Sequence, residues 1–298
     1  MNFDVIIVGG SFAGLSAAMQ LVRGRRHVLI IDAGMPRNRF AVASHGVFTL
    51  DGKTPTEIRR TALEQLNNYP TFSLRNGYVE TARKDAAGFV VITKAGDILR
   101  CKKMILATGL QDTLPSIPGL SERWGKTVVH CPYCHGFELR DRRLGVIATG
   151  PMSVHQAAMI PEWGKTTFFT QEACTPDDEQ YTLLKKRDVA IETSPIIQVN
   201  GEGEAITSVT VQDGRELALE GLYVGPKINA RNALVTALGC ELEPSPLGDI
   251  VKVDGMKETS VAGIFAVGDM SAPMQNATFA IASGVMGGVA AHRSLIFG

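Results

Sequence analysis

A chain of 298 residues has room for about two domains, each large enough to enclose its own apolar core. Its 30 Lys and Arg balance 30 Asp and Glu, so the basic footprint of a nucleic-acid binder is missing. Five cysteines with one close pair make no secreted disulfide framework, and no apolar stretch reads as long and pure enough to span a bilayer, so a reducing, cytoplasmic setting away from membranes is expected.

Phe3–Val8 reads as a strand rather than a signal peptide, because Asp4 precedes the apolar run and Gly9-Gly10-Ser11-Phe12-Ala13-Gly14 ends it. A helical run over Leu15–Arg23 follows, then a second strand, His27–Ile31, ending at Asp32. This is the βαβ start of a dinucleotide-binding domain: turn glycines admit a pyrophosphate to a helix N-terminus, and the acid takes ribose hydroxyls. One position departs from G-x-G-x-x-G, with Ser11 replacing the middle glycine. Thr54–Asn68 carries a helical pattern with Pro55 suited to the first turn, and strand-like pieces alternate with turns from Phe72 to Ala107. Met104–Leu106 is a strand running into Ala107-Thr108-Gly109, with Pro115 and Pro118 punctuating a crossover. A second βαβ unit opens at Leu144–Ala148, continues through a helix at Val154–Ile160 and reaches a strand at Thr166–Thr170. Thr175-Pro176 is expected to cap a helix running to about Lys186. Gly263–Val267 is a strand delivering Gly268-Asp269 at its tip, before a last helix, Thr278–Phe297, of small and apolar residues.

Between the two βαβ units lies Cys131-Pro132-Tyr133-Cys134-His135-Gly136. Two thiols three positions apart can close one disulfide within a turn, which makes them a two-electron switch. At a helix start, backbone N–H groups favour the thiolate, and His135 can stabilise it as imidazolium or take and return its proton. Haem attachment at C-x-x-C-H needs an exported chain and an axial ligand; a glutaredoxin needs a longer helix than Asp141-Arg142-Arg143 allows. Zinc needs two further ligands, which His130 and His135, adjoining the cysteines, do not readily supply, so no metal is expected. Cys101, Cys174 and Cys240 have no partner in sequence and read as small hydrophobes, and His27, His155 and His292 as packing or surface residues.

In the order and spacing of these motifs the chain resembles the low-molecular-weight thioredoxin reductases over nearly its whole length. The resemblance implies an α/β fold of two Rossmann-like domains with a discontinuous FAD domain, residues 1–114 and 245–298, around an inner NAD(P)-like domain, 115–244, that carries the dithiol. It also implies a homodimer. By the same resemblance Gly9, Ser11, Ala13 and Gly14 face the pyrophosphate of FAD, Asp32 the adenosine ribose, Val79 the adenine and Asp269 the ribityl chain. Thr108, Gly109, Gly268, Asn276 and Ala277 complete the cofactor residues, and the segment holding Ser44, His45, Gly46 and Asp51 is expected beside the isoalloxazine. Cys134 becomes the flavin-facing sulfur, Cys131 the sulfur that meets substrate and His135 their acid–base partner, at a position where thioredoxin reductases carry Asp. C-P-Y-C-H-G is closest to the dithiol oxidases of gliotoxin- and holomycin-type pathways, which reoxidise their flavin with oxygen.

Laid on the inner-domain G-x-G-x-x-A, the chain reads Ala148-Thr149-Gly150-Pro151-Met152-Ser153. Ala148 adds a Cβ at the tight turn, Pro151 removes an N–H, and Gln171-Glu172 with Asp177, Asp178 and Glu179 stand where a 2′-phosphate needs Arg or Lys. Efficient NADPH use is therefore not expected. The expected function is an FAD-dependent thiol–disulfide oxidoreductase acting mainly on small-molecule or peptide dithiols in the oxidising direction. The alternatives are an NADPH-driven reductase of a thioredoxin-like protein and a flavin redox sensor without turnover.

Overall fold

The computed structural model describes residues 2–298, which form two compact units. The first comprises residues up to Arg39, Pro55–Gln111 and Ile228–Gly298, and the second Phe40–Thr54 and Asp112–Lys227.

In the first unit β1 (Asn2–Val8), α1 (Phe12–Arg23) and β2 (Val28–Asp32) form the anticipated βαβ start. They are followed by α2 (Pro55–Leu66), β3 (Phe72–Asn76), β4 (Val79–Asp85), β5 (Gly88–Thr93) and β6 (Ile98–Leu106). The strand order is β3-β2-β1-β6-β5-β4. β6 pairs parallel with β1 on one edge and serves two partners on the other: Ile98–Cys101 pairs antiparallel with β5, while Met104–Leu106 pairs parallel with Ile264–Ala266. Residues at the centre of β1 alternate between two cores, as the two-residue period of a strand requires. Ile6 and Val8 join Val79, Phe89 and Val91 on one face, and Val5 and Ile7 join Leu15, Ala18 and Leu21 on the other.

The last helix, Ala277–Phe297, closes this unit against α1. Its buried stripe is Ala280, Ser283, Gly284, Gly287, Gly288 and Ala291. At Gly284 a Cβ would overlap the Ala13 carbonyl oxygen, and at Gly288 it would come within 2.6 Å of that of Ala17. Three helical glycines cost about 1 kcal/mol each relative to alanine, so the close approach of the two helices must offset them. By length and composition alone this helix could cross a membrane, with a third of its apolar window buried, which corrects the expectation that no stretch would qualify. Its low polarity has a local cause, the small-residue stripe packed on α1.

The second unit has a five-stranded sheet in the order Ala190–Glu192, Gly164–Phe169, Arg142–Ile147, Gly221–Val224, Val128–Val129, parallel throughout. An antiparallel layer of Ile196–Asn200, Ser208–Val211 and Glu216–Ala218 accompanies it. The helix expected from Thr175-Pro176 starts two residues later: Asp177 caps Asp178–Lys186 in a reciprocal box, taking the Gln180 N–H while the Gln180 amide takes that of Asp177.

The unit boundaries differ from the expected 115 and 244. At the far end the chain has already returned to the first unit by Ile228, because Ala233–Leu238 sets Leu234 and Val235 against Val79 and Ala82 of β4. At the near end Phe40–Thr54 belongs with the second unit, where Phe40 covers Gly125 and Ser44 bridges to Lys53.

Replacing Gly284 with Val is expected to lower stability by about 1–3 kcal/mol or more, through overpacking against backbone that has nowhere to move. Thermal unfolding with Met286→Ala on the exposed side of the helix as the control checks this.

Candidate active site and cofactor cradle

The ends of the parallel strands in the first unit converge on a set of tight turns. Gly9 leaves β1 at φ +106°, and a Cβ there would overlap the Ala107 carbonyl oxygen, so neither the dihedral nor the space admits a side chain. Gly14 lies equally close to the Gly9 carbonyl, which lets α1 start directly over the turn. Ser11 is the N-cap residue in extended conformation, but its hydroxyl makes no cap hydrogen bond, so it is not committed to the helix. Ala13 is buried behind it.

Asp32, at the tip of β2, is buried and accepts the Gly10 N–H at 3.0 Å. Its other carboxylate oxygen is held by Arg59 of α2, whose Nε also donates to the Gly10 carbonyl at 2.9 Å. Asp269, in the turn Gly268–Ser271 beyond Ile264–Ala266, pairs with Arg37 at 2.9 Å. The Gly268 N–H donates to Ser283, Thr108 Oγ1 accepts from Asn232 Nδ2 at 3.1 Å, and Gly109 turns at φ +69°. Asn276 caps the last helix by accepting the Thr278 N–H, leaving Ala277 as the first helical residue, and Val79 is the buried first residue of β4. Arg37 and Arg59 carry no motif and were not anticipated; each meets its carboxylate only through the fold. A glycine turn no Cβ could enter, an uncommitted hydroxyl and two carboxylates steadied by arginine form a cradle that fits a dinucleotide.

The dithiol lies in the second unit. Val128–Val129 leads through His130 to Cys131, which is the N-cap of a single helical turn, α3 (Pro132–His135), with Pro132 at its first position. Cys131 and Cys134 are both half-buried and free. The Cys131 thiol is pushed below its ordinary value chiefly by a hydrogen bond from the Cys134 S–H, aided by the N–H groups of Cys134 and Tyr133. Cys134 is pushed far up by the same bond and by burial, so the pair holds its second proton firmly while giving up the first.

His135 is drawn below its ordinary 6.5 by burial, which the Cys131 carbonyl and Glu138 oppose and His45 reinforces. Neither ring nitrogen has a hydrogen-bond partner among the described residues, so the nearby carbonyl acts as a dipole rather than an aligned acceptor. Of the two roles anticipated for it, the neutral proton acceptor therefore fits at pH 7 and the imidazolium does not. His45 stands between two carboxylates, Nδ1 3.6 Å from Asp51 and Nε2 3.6 Å from Glu138, and the Gly46 N–H donates to the same Asp51 at 2.8 Å. The whole His45 segment thus travels with the dithiol's unit. Tyr133 packs edge-on against Trp163 at 5.7 Å, and Tyr133 and Phe137 are both well exposed beside the pair. Glu138 and Trp163 escaped the sequence reading; the first was visible three residues after His135, the second depends on the fold.

At the inner crevice part of the turn is already engaged. The Thr149 N–H donates to Ser153 Oγ and the Thr149 hydroxyl to the Gly225 carbonyl, so the polar groups of Thr149 are spent locally. Pro151 is the N-cap of Met152–Met159 and contributes no donor. Gln171, beyond the second strand, is engaged with Ile196, and the exposed Glu172 follows it.

The family model for pyridine nucleotide-disulphide oxidoreductases matches residues 3–284, and the chain belongs to that family. It is 31% identical to thioredoxin reductase tcpT of Claviceps purpurea over 98% of this chain and 94% of that protein. Thioredoxin reductase sirT of Leptosphaeria maculans is 29% identical over 96% of this chain and 92% of its own. A crystal structure of an oxidoreductase from Agrobacterium tumefaciens is 46% identical, with a TM-score of 0.95 over 100% of this chain and 99% of that one. The protein is an FAD-dependent disulfide oxidoreductase of the thioredoxin reductase type, with two Rossmann-like domains.

Two outcomes follow from this geometry. Gly9→Ala is expected to yield protein that retains little FAD, read as the ratio of flavin to protein absorbance after purification. The depressed value of His135 means that the unfolded chain binds its proton first: its contribution to stability is whole above about pH 6.5 and is lost as pH falls through the lower native value. Denaturant titrations at pH 7 and 5 should therefore show His135→Gln losing less stability on acidification than the wild-type protein.

Proposed function

We propose that the protein oxidises a small-molecule or peptide dithiol through the Cys131–Cys134 disulfide. A substrate thiolate attacks the Cys131 sulfur, the Cys131–Cys134 bond breaks, and Cys134 leaves with the electron pair. The second substrate thiol gives its proton to His135 and attacks the sulfur bound to Cys131. That mixed bond breaks, Cys131 leaves as thiolate, and the substrate departs as a disulfide two electrons poorer. A leaving thiol of low pKa leaves faster, and the Cys134 and Tyr133 N–H groups that favour the Cys131 thiolate remain in place at this step. Bound FAD would supply the two-electron acceptor that restores the cysteine disulfide, with oxygen or another acceptor as the terminal oxidant.

In this reading Gly9, Ser11, Ala13 and Gly14 hold the cofactor's pyrophosphate, and Asp32, steadied by Arg59, its ribose. Val79 meets the adenine and Asp269 the ribityl chain, with Thr108, Gly109, Gly268, Asn276 and Ala277 around them. His45 and Asp51 keep Glu138 beside the dithiol.

The observation that carries the oxidising direction is the inner crevice, where both polar groups of Thr149 are bonded to their own chain, Pro151 has no N–H and the phosphate position is acidic. A domain in this state serves as a scaffold for the dithiol better than as an NADPH site. Exposed Tyr133 and Phe137 flank the pair with aromatic surface suited to an apolar dithiol. A homodimer and a cytoplasmic setting belong to the same proposal, the first from family resemblance and the second from cysteine usage.

Anaerobic stopped-flow mixing separates the directions. Dithiothreitol should bleach the flavin at 450 nm within seconds, Cys134→Ser should abolish that bleaching, and NADPH should bleach at least tenfold more slowly. Rapid bleaching by NADPH would establish the reductase reading instead.

A further inference from the structure

Tyr223 is among the largest fully buried side chains of the second unit, at 0% exposure, and its hydroxyl has no hydrogen-bond partner among the described residues. A phenylalanine would fill the same volume without stranding a polar atom, so the hydroxyl is an expense that packing does not explain. Its position supplies a reason. In the parallel sheet Tyr223 is paired in register with Val129, and the two side chains share a face. Two residues beyond Val129 is Cys131. The ring packs in one cluster with Val129, Leu139 and Val146, and its hydroxyl is not bonded to the Cys131 sulfur in the reduced pair. The charged groups that bear on the hydroxyl are the Cys131 thiolate and Glu138, and together with burial both push its ionisation upward, so it stays protonated and able to donate.

In the reduced pair the Cys131 sulfur is served by the Cys134 S–H. That donor is gone once Cys134 has left as thiolate. When Cys131 is then expelled from the mixed disulfide, it takes up an electron pair with no S–H beside it. We propose that the Tyr223 hydroxyl is the buried donor that stabilises the Cys131 thiolate at this point, its proton shared with the sulfur in a hydrogen bond and not transferred. This rests on the reading of Cys131 as the substrate-facing sulfur.

The test uses reduced, flavin-loaded Cys134→Ala protein, in which the S–H donor is removed, with and without Tyr223→Phe. The pH dependence of Cys131 alkylation by iodoacetamide is followed by peptide mass spectrometry, so that the other cysteines do not interfere. The added Tyr223→Phe change should raise the midpoint by about one pH unit, a tenfold loss of alkylation rate on the acid side. In the wild-type background the same change should leave the melting temperature unchanged or higher, since it relieves an unpartnered hydroxyl. Identical alkylation profiles would overturn the inference, and so would a marked fall in melting temperature, which would mean that the hydroxyl has a structural partner. Should dithiothreitol fail to bleach the wild-type flavin while the alkylation midpoints still separate, the dithiol-oxidase reading falls and the Tyr223 assignment stands.

Discussion

The first unit is held together by backbone lying against backbone where no side chain intervenes. Its chain is interrupted by more than a hundred residues, so the pieces must find one another without continuity. They do so at the contact of α1 with Ala277–Phe297, where Gly284 and Gly288 admit the carbonyls of Ala13 and Ala17, and Ser16 donates to the Ile281 carbonyl at 2.8 Å. The same helix α1 begins over Gly9 and Gly14. Closing the unit and shaping the cofactor turn are therefore one packing problem, and a side chain added at either place disturbs both.

The second unit solves an electrostatic problem. A thiolate must exist at neutral pH in a half-buried place, where desolvation opposes it. A full cation would do this, but His135 is held neutral by burial. The stabilisation comes from weaker dipoles added together: the Cys134 S–H and the N–H groups at the start of α3. Such a set lowers Cys131 without a fixed positive charge. The neutral imidazole beside it has both ring nitrogens without a partner among the described residues.

The inner βαβ crevice keeps its fold while its turn departs from the dinucleotide pattern. Its sheet keeps the parallel order and its helix the usual place after the first strand. The departures lie at the turn, where the Thr149 N–H is taken by Ser153 and Pro151 has no N–H to offer. Strand register and burial are set by many residues, and donors at one turn by three or four, so the second can disappear while the first persists.

Local pattern alone determined much of this protein. The glycine turn after β1, the acid at the tip of β2, the single-turn dithiol and the defective inner fingerprint are each written in adjacent residues, because backbone conformation and short-range donors depend on near neighbours. Even there, details followed finer rules, as when Asp177 rather than Thr175 capped its helix. The tertiary structure decided what depends on residues distant in the chain: Arg59 on Asp32, Arg37 on Asp269, His45 between Asp51 and Glu138, and Tyr223 beside Val129. It also decided that Phe40–Thr54 belongs with the dithiol and Ala233–Leu238 with the cradle. These contacts span tens to hundreds of positions, and their partners are chosen by which strands pair and which faces are buried, information that no window of the sequence contains.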